Sequence, residues 1–214
     1  MRAAGGTHVH SPGLLWRFWV ILRGFEQMFV RPAPELPLVL IAYARGDRGP
    51  ADELRGALEE TWLTIPTPLR QGYEGVLKKV PPMVVVILRR KSPCGCLGHH
   101  HRPGTQTRIA RRLSAVSGLP VAELDLAYQG IREWQPLPLS DLAIETTVPE
   151  ANHEEVEVFR FRLGLLDVFL HELHHYASPQ DGEPKVREHS QRFYIQVLDG
   201  FLRARFGIRY GLQK

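Results

Sequence analysis

Two long segments near the C-terminus constrain the fold of this chain most. Residues 156–176 carry apolar side chains at helical spacing and stop before Ser178-Pro179. The second segment begins at Pro184, a residue that suits the first position of a helix, and ends near Phe206, before Gly207. Because only a short stretch joins the two segments, the sequence predicts two helices that lie side by side in antiparallel directions.

The rest of the chain alternates between the two kinds of regular structure. The pattern predicts helices at residues 14–29, 52–62 and 108–116, and strands at residues 38–43, 83–88, 121–128 and 137–147. We therefore expect an α+β fold with a small mixed β-sheet packed by helices. Residues 1–12 are small and polar and are expected to form a flexible tail, which leaves residues 13–214 as a single domain.

Composition bounds the class of protein. The chain has 214 residues, of which 43% are hydrophobic and 23% charged, and it has only 2 cysteines, so neither a disordered chain nor a disulfide scaffold is expected. Its net charge of +4 permits an acidic partner without requiring one. The apolar stretch at residues 14–30 contains Arg17, Arg23 and Glu26, which argues against a secretory signal and for a cytoplasmic protein with no membrane partner.

A pentapeptide with metal-binding spacing lies in the first long helix. Residues 171–175 read His-Glu-Leu-His-His, which satisfies the pattern H-E-x-x-H. Residues four apart share one face of a helix, so His171 and His175 can offer two imidazole nitrogens to one zinc ion. Glu172 lies beside them, where a carboxylate can take a proton from an activated water and return it. The spacing predicts Zn²⁺ as the cofactor, with Glu172 as the catalytic residue.

A catalytic zinc site needs a third protein ligand and an open position for water. The candidates after the pentapeptide are Asp181, Glu183, Glu188, His189 and Asp199. His189 falls at steps of three and four from Val186 and Phe193 on the apolar stripe of the second helix, whereas Glu188 is rotated by about 100°. We therefore expect His189 to be the third ligand, with Glu188 or Glu183 as alternatives.

The two motifs together resemble the SprT-like and WLM-type zinc metallopeptidases. In that family H-E-L-x-H is followed, after a variable insert, by H-[GS]-x-x-F on the next helix, and residues 189–193 here read His-Ser-Gln-Arg-Phe. The resemblance covers only residues 156–206, and His174 within the pentapeptide is unusual for the family.

The resemblance implies a zincin-like, minimal-gluzincin core and a zinc-dependent metallopeptidase that hydrolyses peptide bonds of a protein or peptide substrate. The zinc ligands that it implies are His171, His175 and His189, and the general acid/base is Glu172. It also implies that Phe193 packs beneath the third ligand. We further expect one strand, at residues 139–147, to pair with an extended substrate.

Residues 91–107 are predicted to form a loop that is rich in metal-binding side chains. These are Cys94, Cys96, His99, His100 and His101. The C-x-C spacing is tighter than is usual for zinc, and no second cysteine pair completes a ribbon. We expect a polar loop near the cleft, with a second metal site as the alternative. A Cys94–Cys96 disulfide is least favoured, because the two cysteines are close in sequence and the compartment is expected to be reducing.

Other classes of function remain as alternatives. The main one is a non-catalytic interaction module in which zinc staples the two helices, including a module associated with nucleic acid. Clusters of arginine could contact phosphates, although arginine at helix ends is usually solvated. The arginines in these clusters are Arg108, Arg111, Arg112, Arg203, Arg205 and Arg209. A metal-dependent nuclease is a third class, and peptide deformylase, suggested by Gly95-Cys96-Leu97, is a minor one. Glu172 favours the peptidase, since a purely structural site has no use for an acid beside the metal.

Overall fold

The computed structural model describes residues 25–31, 33–134 and 153–207. The described strands are β1 (Phe25–Val30), β2 (Leu38–Ala44), β3 (Met83–Arg89), β4 (Gly98–His101) and β5 (Val121–Ala127). The described helices are α1 (Arg48–Gly56), α2 (Thr67–Leu77), α3 (Arg108–Ser117), α4 (Tyr128–Glu133), α5 (His153–Ala177) and α6 (Glu183–Phe206). After α1 the chain continues through a π-helical turn, Ala57–Thr61, and a short helical turn, Trp62–Thr64.

The five strands form one mixed sheet in the order β1-β2-β3-β5-β4. The three central strands β2, β3 and β5 are parallel, and the outer strands β1 and β4 are antiparallel to their neighbours. The central strands are short apolar runs because both of their faces are covered. All six residues of Met83–Leu88, for example, are buried.

Helices cover the two faces of the sheet unequally. One face carries the larger core, in which α1, α2, α5 and α6 pack on side chains such as Val86 and Leu124. The other face is covered by α3, whose Ala110 and Leu113 meet Val85. Helix α5 contacts β4, β5 and α6, so it joins the edge of the sheet to the C-terminal helix.

The expected α+β class with a small mixed sheet and two long C-terminal helices is confirmed. The predictions of β2, β3, β5 and α3 also hold, with ends that differ by a residue or two. Helix α3 begins where Thr107 accepts a hydrogen bond from the Ile109 amide and ends at Gly118, which has a left-handed φ of 69°.

Two local predictions were wrong. A helix was expected over residues 14–29, but residues 25–30 form β1, because pairing with β2 outweighs a helical apolar spacing. The predicted loop at residues 91–107 contains β4. The helix expected at residues 52–62 is present but starts earlier, at Arg48. The expected tail at residues 1–12, residues 14–24 of the expected N-terminal helix and the strand at residues 137–147 lie outside the described residues. Among the helices that the structure describes, none combines the length and apolarity that a bilayer span would need.

The core face of α5 is expected to dominate stability. Phe169 is fully buried in the larger core, so Phe169→Ala should lower the free energy of unfolding by about 3–5 kcal/mol through lost burial and a residual cavity. Urea denaturation of the two proteins measures this difference. Val158 lies on the exposed side of the same helix, and Val158→Ala should change the same quantity by less than about 0.5 kcal/mol. Equal effects of the two substitutions would contradict this assignment of faces.

Candidate metal centre

The pentapeptide lies near the C-terminal end of α5, and its two outer histidines share one face of the helix. The helix is anchored beneath them by Phe169, Leu170 and Leu173, each with 0% exposure. The side chains of His171 and His175 are 15% and 14% exposed, so both rings sit in a partly buried site. Their Nε2 atoms are 3.2 Å apart. Two ligand nitrogens on one tetrahedral zinc ion stand about 3.3 Å apart, so this spacing fits a shared metal.

Glu183, in the first turn of α6, completes a group of three. Its Oε2 lies 2.9 Å from His175 Nε2, and its Oε1 lies 3.6 Å from His171 Nε2. The ligand atoms of these three residues all lie within 4.8 Å of one another, so the group could hold a metal ion. The chain reverses between α5 and α6 at residues 178–182, which brings the start of α6 next to the end of α5.

His189, the expected third ligand, is not part of this group among the described residues. It is exposed, and its ring lies beside that of His174, with 5.7 Å between the centroids. The buried stripe of α6 contains Ser190 rather than its neighbour His189, so the prediction that His189 faces the core is wrong. Glu183, which the spacing had left as an alternative, lies seven residues before Ser190 and therefore on the same face.

The remaining acidic candidates for a third ligand have other partners. Glu188 pairs with Arg192 and Asp199 with Arg203 on the exposed side of α6. Asp181 accepts a hydrogen bond from Lys185 at 2.6 Å and contacts His174 Nε2 at 2.9 Å. His174 is thus buried against the turn that joins α5 to α6, where it holds that turn closed.

Glu172, the expected acid/base, is only 7% exposed and lines the same cleft as the three candidate ligands. Its Oε2 is 3.0 Å from Nδ1 of His100 on β4. The His100 ring also stacks on His175, with 5.2 Å between centroids and 16° between planes. Sequence reasoning missed this role of His100, because residues 98–101 carry no apolar alternation that would have marked a strand.

Gly98 allows β4 to approach the Glu172 carboxyl group closely. A Cβ atom built on Gly98 would lie 2.7 Å from Glu172 Oε1 and 2.6 Å from Val168 Cγ1, closer than real contacts permit. The absence of a side chain at residue 98 therefore brings the strand backbone against the proposed acid/base.

The cleft has a volume of about 850 Å³ and is bounded by β4, α5 and the start of α6. Burial lowers the pKa of His171 despite the nearby carboxylates, which favours the neutral ring that a metal requires. Burial opposes ionisation of Glu183, but interactions with His171, His175 and Arg187 outweigh it and lower its pKa. The lowered pKa values of His171 and Glu183 both favour the unprotonated side chains, which are the forms that bind a metal ion.

The cysteine and histidine loop differs from expectation. Cys94 and Cys96 form a disulfide, so the view that a bridge was least favoured is wrong. Gly95 between them has a left-handed φ of 73°, and the two Cα atoms lie 5.4 Å apart, within the usual range for a disulfide. The three histidines are divided by the alternation of β4. His100 faces α5, whereas His99 and His101 face the other side of the sheet, where His101 contacts Asp125.

The described members of the arginine clusters do not border the cleft. Arg108, Arg111 and Arg112 are exposed on α3, which covers the opposite face of the sheet. Arg203 and Arg205 form ion pairs with Asp199 and Glu155. Arg209 lies outside the described residues.

The chain matches no protein-family model, no curated protein and no solved structure. The likeness to SprT-like and WLM-type peptidases therefore rests on the motif residues alone.

Gly98→Ala tests the close approach of β4 and α5. The added methyl group has no space beside Glu172 and Val168, so we expect a loss of about 1–3 kcal/mol in the free energy of unfolding. A Cβ at Gly200 on α6 would meet nothing within 4 Å, and Gly200→Ala should be neutral or stabilising. Urea denaturation compares the two variants with the wild type. A Gly98→Ala protein as stable as the wild type would show that this approach is looser than described.

Asp181→Asn tests whether the charge of Asp181 stabilises the turn between α5 and α6, through the dependence of stability on pH. Hydrogen bonds from Lys185 and His174 lower the pKa of Asp181 to about 2, so its charge stabilises the fold above the unfolded pKa near 3.9. That contribution is lost as the pH falls from about 4 towards 2. The melting temperature of the variant should therefore be lower than that of the wild type at pH 7 and pH 5. The difference between the two melting temperatures should be smaller at pH 3. Glu188→Gln, on an exposed pair, serves as the control, and a difference that grew on acidification would contradict the assignment.

Proposed function

We propose that this protein is a zinc-dependent metallopeptidase with His171, His175 and Glu183 as zinc ligands. The proposal is carried by one observation: two imidazole nitrogens, a carboxylate and the nearly buried Glu172 converge on one open cleft. Two nitrogen ligands and one oxygen ligand, with one side left open, are a donor set of catalytic zinc sites. In this ligand set Glu183 takes the position that the family resemblance had implied for His189.

The chemistry follows from the residues around the cleft. When bound, zinc would polarise the scissile carbonyl and lower the pKa of a coordinated water. The Glu172 carboxylate would take the proton of the attacking water and deliver it to the amine nitrogen as the peptide C–N bond breaks. His100 contacts Oε2 of Glu172 and so orients the carboxyl group, which leaves Oε1 next to Gly98.

An extended peptide is the substrate that best suits the shape of this site. β4 is an edge strand of the described sheet, and Gly98 and His100 on its α5 side line the cleft. A peptide added to this edge would be held by its backbone and would run past Glu172. The strand first expected for this role, at residues 139–147, lies outside the described residues, so β4 takes its place in the proposal.

The family resemblance enters the proposal only through its motif. A helix bearing H-E-x-x-H, packed on a mixed sheet with an antiparallel edge strand, is compatible with the zincin-like core that the resemblance implies. Phe193 is fully buried on α6 and packs against Tyr73, and its place beneath a metal ligand stays a prediction. A cytoplasmic location stays a prediction from the sequence.

The alternative is a non-catalytic module in which a metal ion ties α5 to the start of α6. It is favoured by the position of the three ligands, which bridge the reversal of the chain between two helices. It leaves Glu172 without a role, although burying a carboxyl group costs free energy. Zinc binding without cleavage of any peptide would support this module over the peptidase.

Glu172→Gln tests the proposed chemistry. The amide cannot accept the proton, so cleavage of an unfolded protein such as casein should fall by about 10²–10⁴-fold while one equivalent of zinc is retained. Glu188→Gln, on the exposed face of α6, should cleave as the wild type does. Cleavage by Glu172→Gln at the rate of the wild type would overturn the mechanism.

Metal analysis of three variants tests the ligand set. His175→Ala and Glu183→Ala should lose zinc on dialysis, because two remaining ligands hold the ion poorly. His189→Ala should retain one equivalent, since that ring lies beside His174 instead. Loss of zinc from His189→Ala together with its retention by Glu183→Ala would restore the ligand set implied by the family resemblance.

A further inference from the structure

A buried carboxyl group lies one helical turn before His171 on α5. Asp167 is 2% exposed, and its side chain borders the metal cleft. Its Oδ1 has no hydrogen-bond partner within the described structure, and its burial raises the pKa of Asp167 well above its ordinary value. Because an apolar residue of this shape would remove that cost, the fold by itself gives no reason for an acid at this position.

Ser190 on α6 links this carboxyl group to the proposed metal ligand. The Ser190 hydroxyl lies close enough to Asp167 to lower the pKa of that carboxyl group, and its Oγ is 3.1 Å from His171 Nδ1. Ser190 is 5% exposed and also lies beside the buried Tyr73. The ring nitrogen of His171 that faces away from the metal group is therefore held by a side chain from the neighbouring helix.

The direction of these hydrogen bonds determines whether His171 can bind a metal. A hydroxyl group has one proton to donate. If Ser190 donates that proton to Asp167, its oxygen accepts from Nδ1–H of His171, and Nε2 keeps its lone pair. If Ser190 instead donates to Nδ1, the ring carries its proton on Nε2, and that nitrogen cannot be a ligand. A carboxyl group keeps an acceptor oxygen in either protonation state, so Asp167 can receive the Ser190 proton in both.

We infer that Asp167 and Ser190 are positioning residues that hold His171 in the tautomer and orientation required for metal binding. The inference rests on the proposed metal site, and it assigns a role to two residues that the H-E-x-x-H pattern does not contain. Neighbouring groups that orient a ligating histidine commonly contribute 10–100-fold to metal affinity.

Zinc affinity, measured by competition with a chelating dye, tests the inference without any peptide substrate. Ser190→Ala and Asp167→Leu should each weaken zinc binding by about 10–100-fold. Asp167→Asn keeps an acceptor oxygen and should bind within about threefold of the wild type. The double variant Ser190→Ala/Asp167→Leu should bind no more weakly than the weaker single variant, since both changes interrupt one chain of hydrogen bonds.

Stability of the zinc-free proteins separates positioning from folding. Asp167→Leu removes a buried carboxyl group, so its urea midpoint should equal or exceed that of the wild type although its zinc affinity is lower. Nitrogen-15 spectra of the histidine rings should show His171 protonated on Nδ1 in the zinc-free wild type and a mixture of tautomers in Asp167→Leu. Unchanged zinc affinity in both Ser190→Ala and Asp167→Leu would overturn the inference. So would a loss of zinc affinity in Asp167→Asn that equals the loss in Asp167→Leu.

These results are distinct from a failure of the proposed peptidase. Weakened zinc binding in the variants, with no cleavage of casein by the zinc-loaded wild type, would support the positioning role and contradict the catalytic one. A wild type that binds no zinc would overturn both.

Discussion

The contact between the end of α5 and the first turn of α6 is the interaction on which the site depends. It brings a carboxylate to within 2.9 Å of one imidazole and 3.6 Å of another. Neither helix presents all three groups alone, since two come from α5 and one from α6. The turn between the helices is therefore as much part of the site as the pentapeptide, and the contact between the buried His174 and Asp181 keeps that turn closed.

Helix α5 combines an apolar core face with an unusual number of buried polar side chains. Asp167, Glu172 and His174 are each less than a tenth exposed, on a helix whose Phe169, Leu170 and Leu173 are fully buried in the core. Each has a contact that comes from a different element: Ser190 on α6, His100 on β4 and Asp181 in the turn. The helix is thus held in a fixed rotation about its axis by polar contacts as well as by packing, and this rotation directs His171 and His175 into the cleft.

Periodicity and end signals predicted the elements that their own residues determine. The run of valines in β3, the glycine after α3 and the proline at the start of α6 mark these elements locally. The strand β1 was missed because its pairing with β2 overrides a spacing that also fits a helix. The strand β4, with the sequence Gly-His-His-His, was missed because its only marks are its partner β5 and its contact with α5.

The parts of the site that lie within one segment of the chain were likewise predictable from the sequence. The pattern H-E-x-x-H identified two members of the metal group and the neighbouring glutamate. The third member depends on the rotation of α6 about its axis. A shift of one residue exchanges His189 for Ser190 on the buried stripe, and spacing alone does not fix that rotation. The role of His100 depends on a contact between residues 72 positions apart, for which the sequence carries no local signal.

The separation along the chain between the parts of this site has a consequence for how they assemble. The three candidate ligands lie within residues 171–183, a helical hairpin whose contacts are local in sequence, whereas the wall of the cleft at β4 requires closure of a long loop. The proposed binding of a cation would therefore need only a short hairpin, whereas the proposed action on a substrate would need the whole sheet. A partly unfolded chain would keep the first property after losing the second.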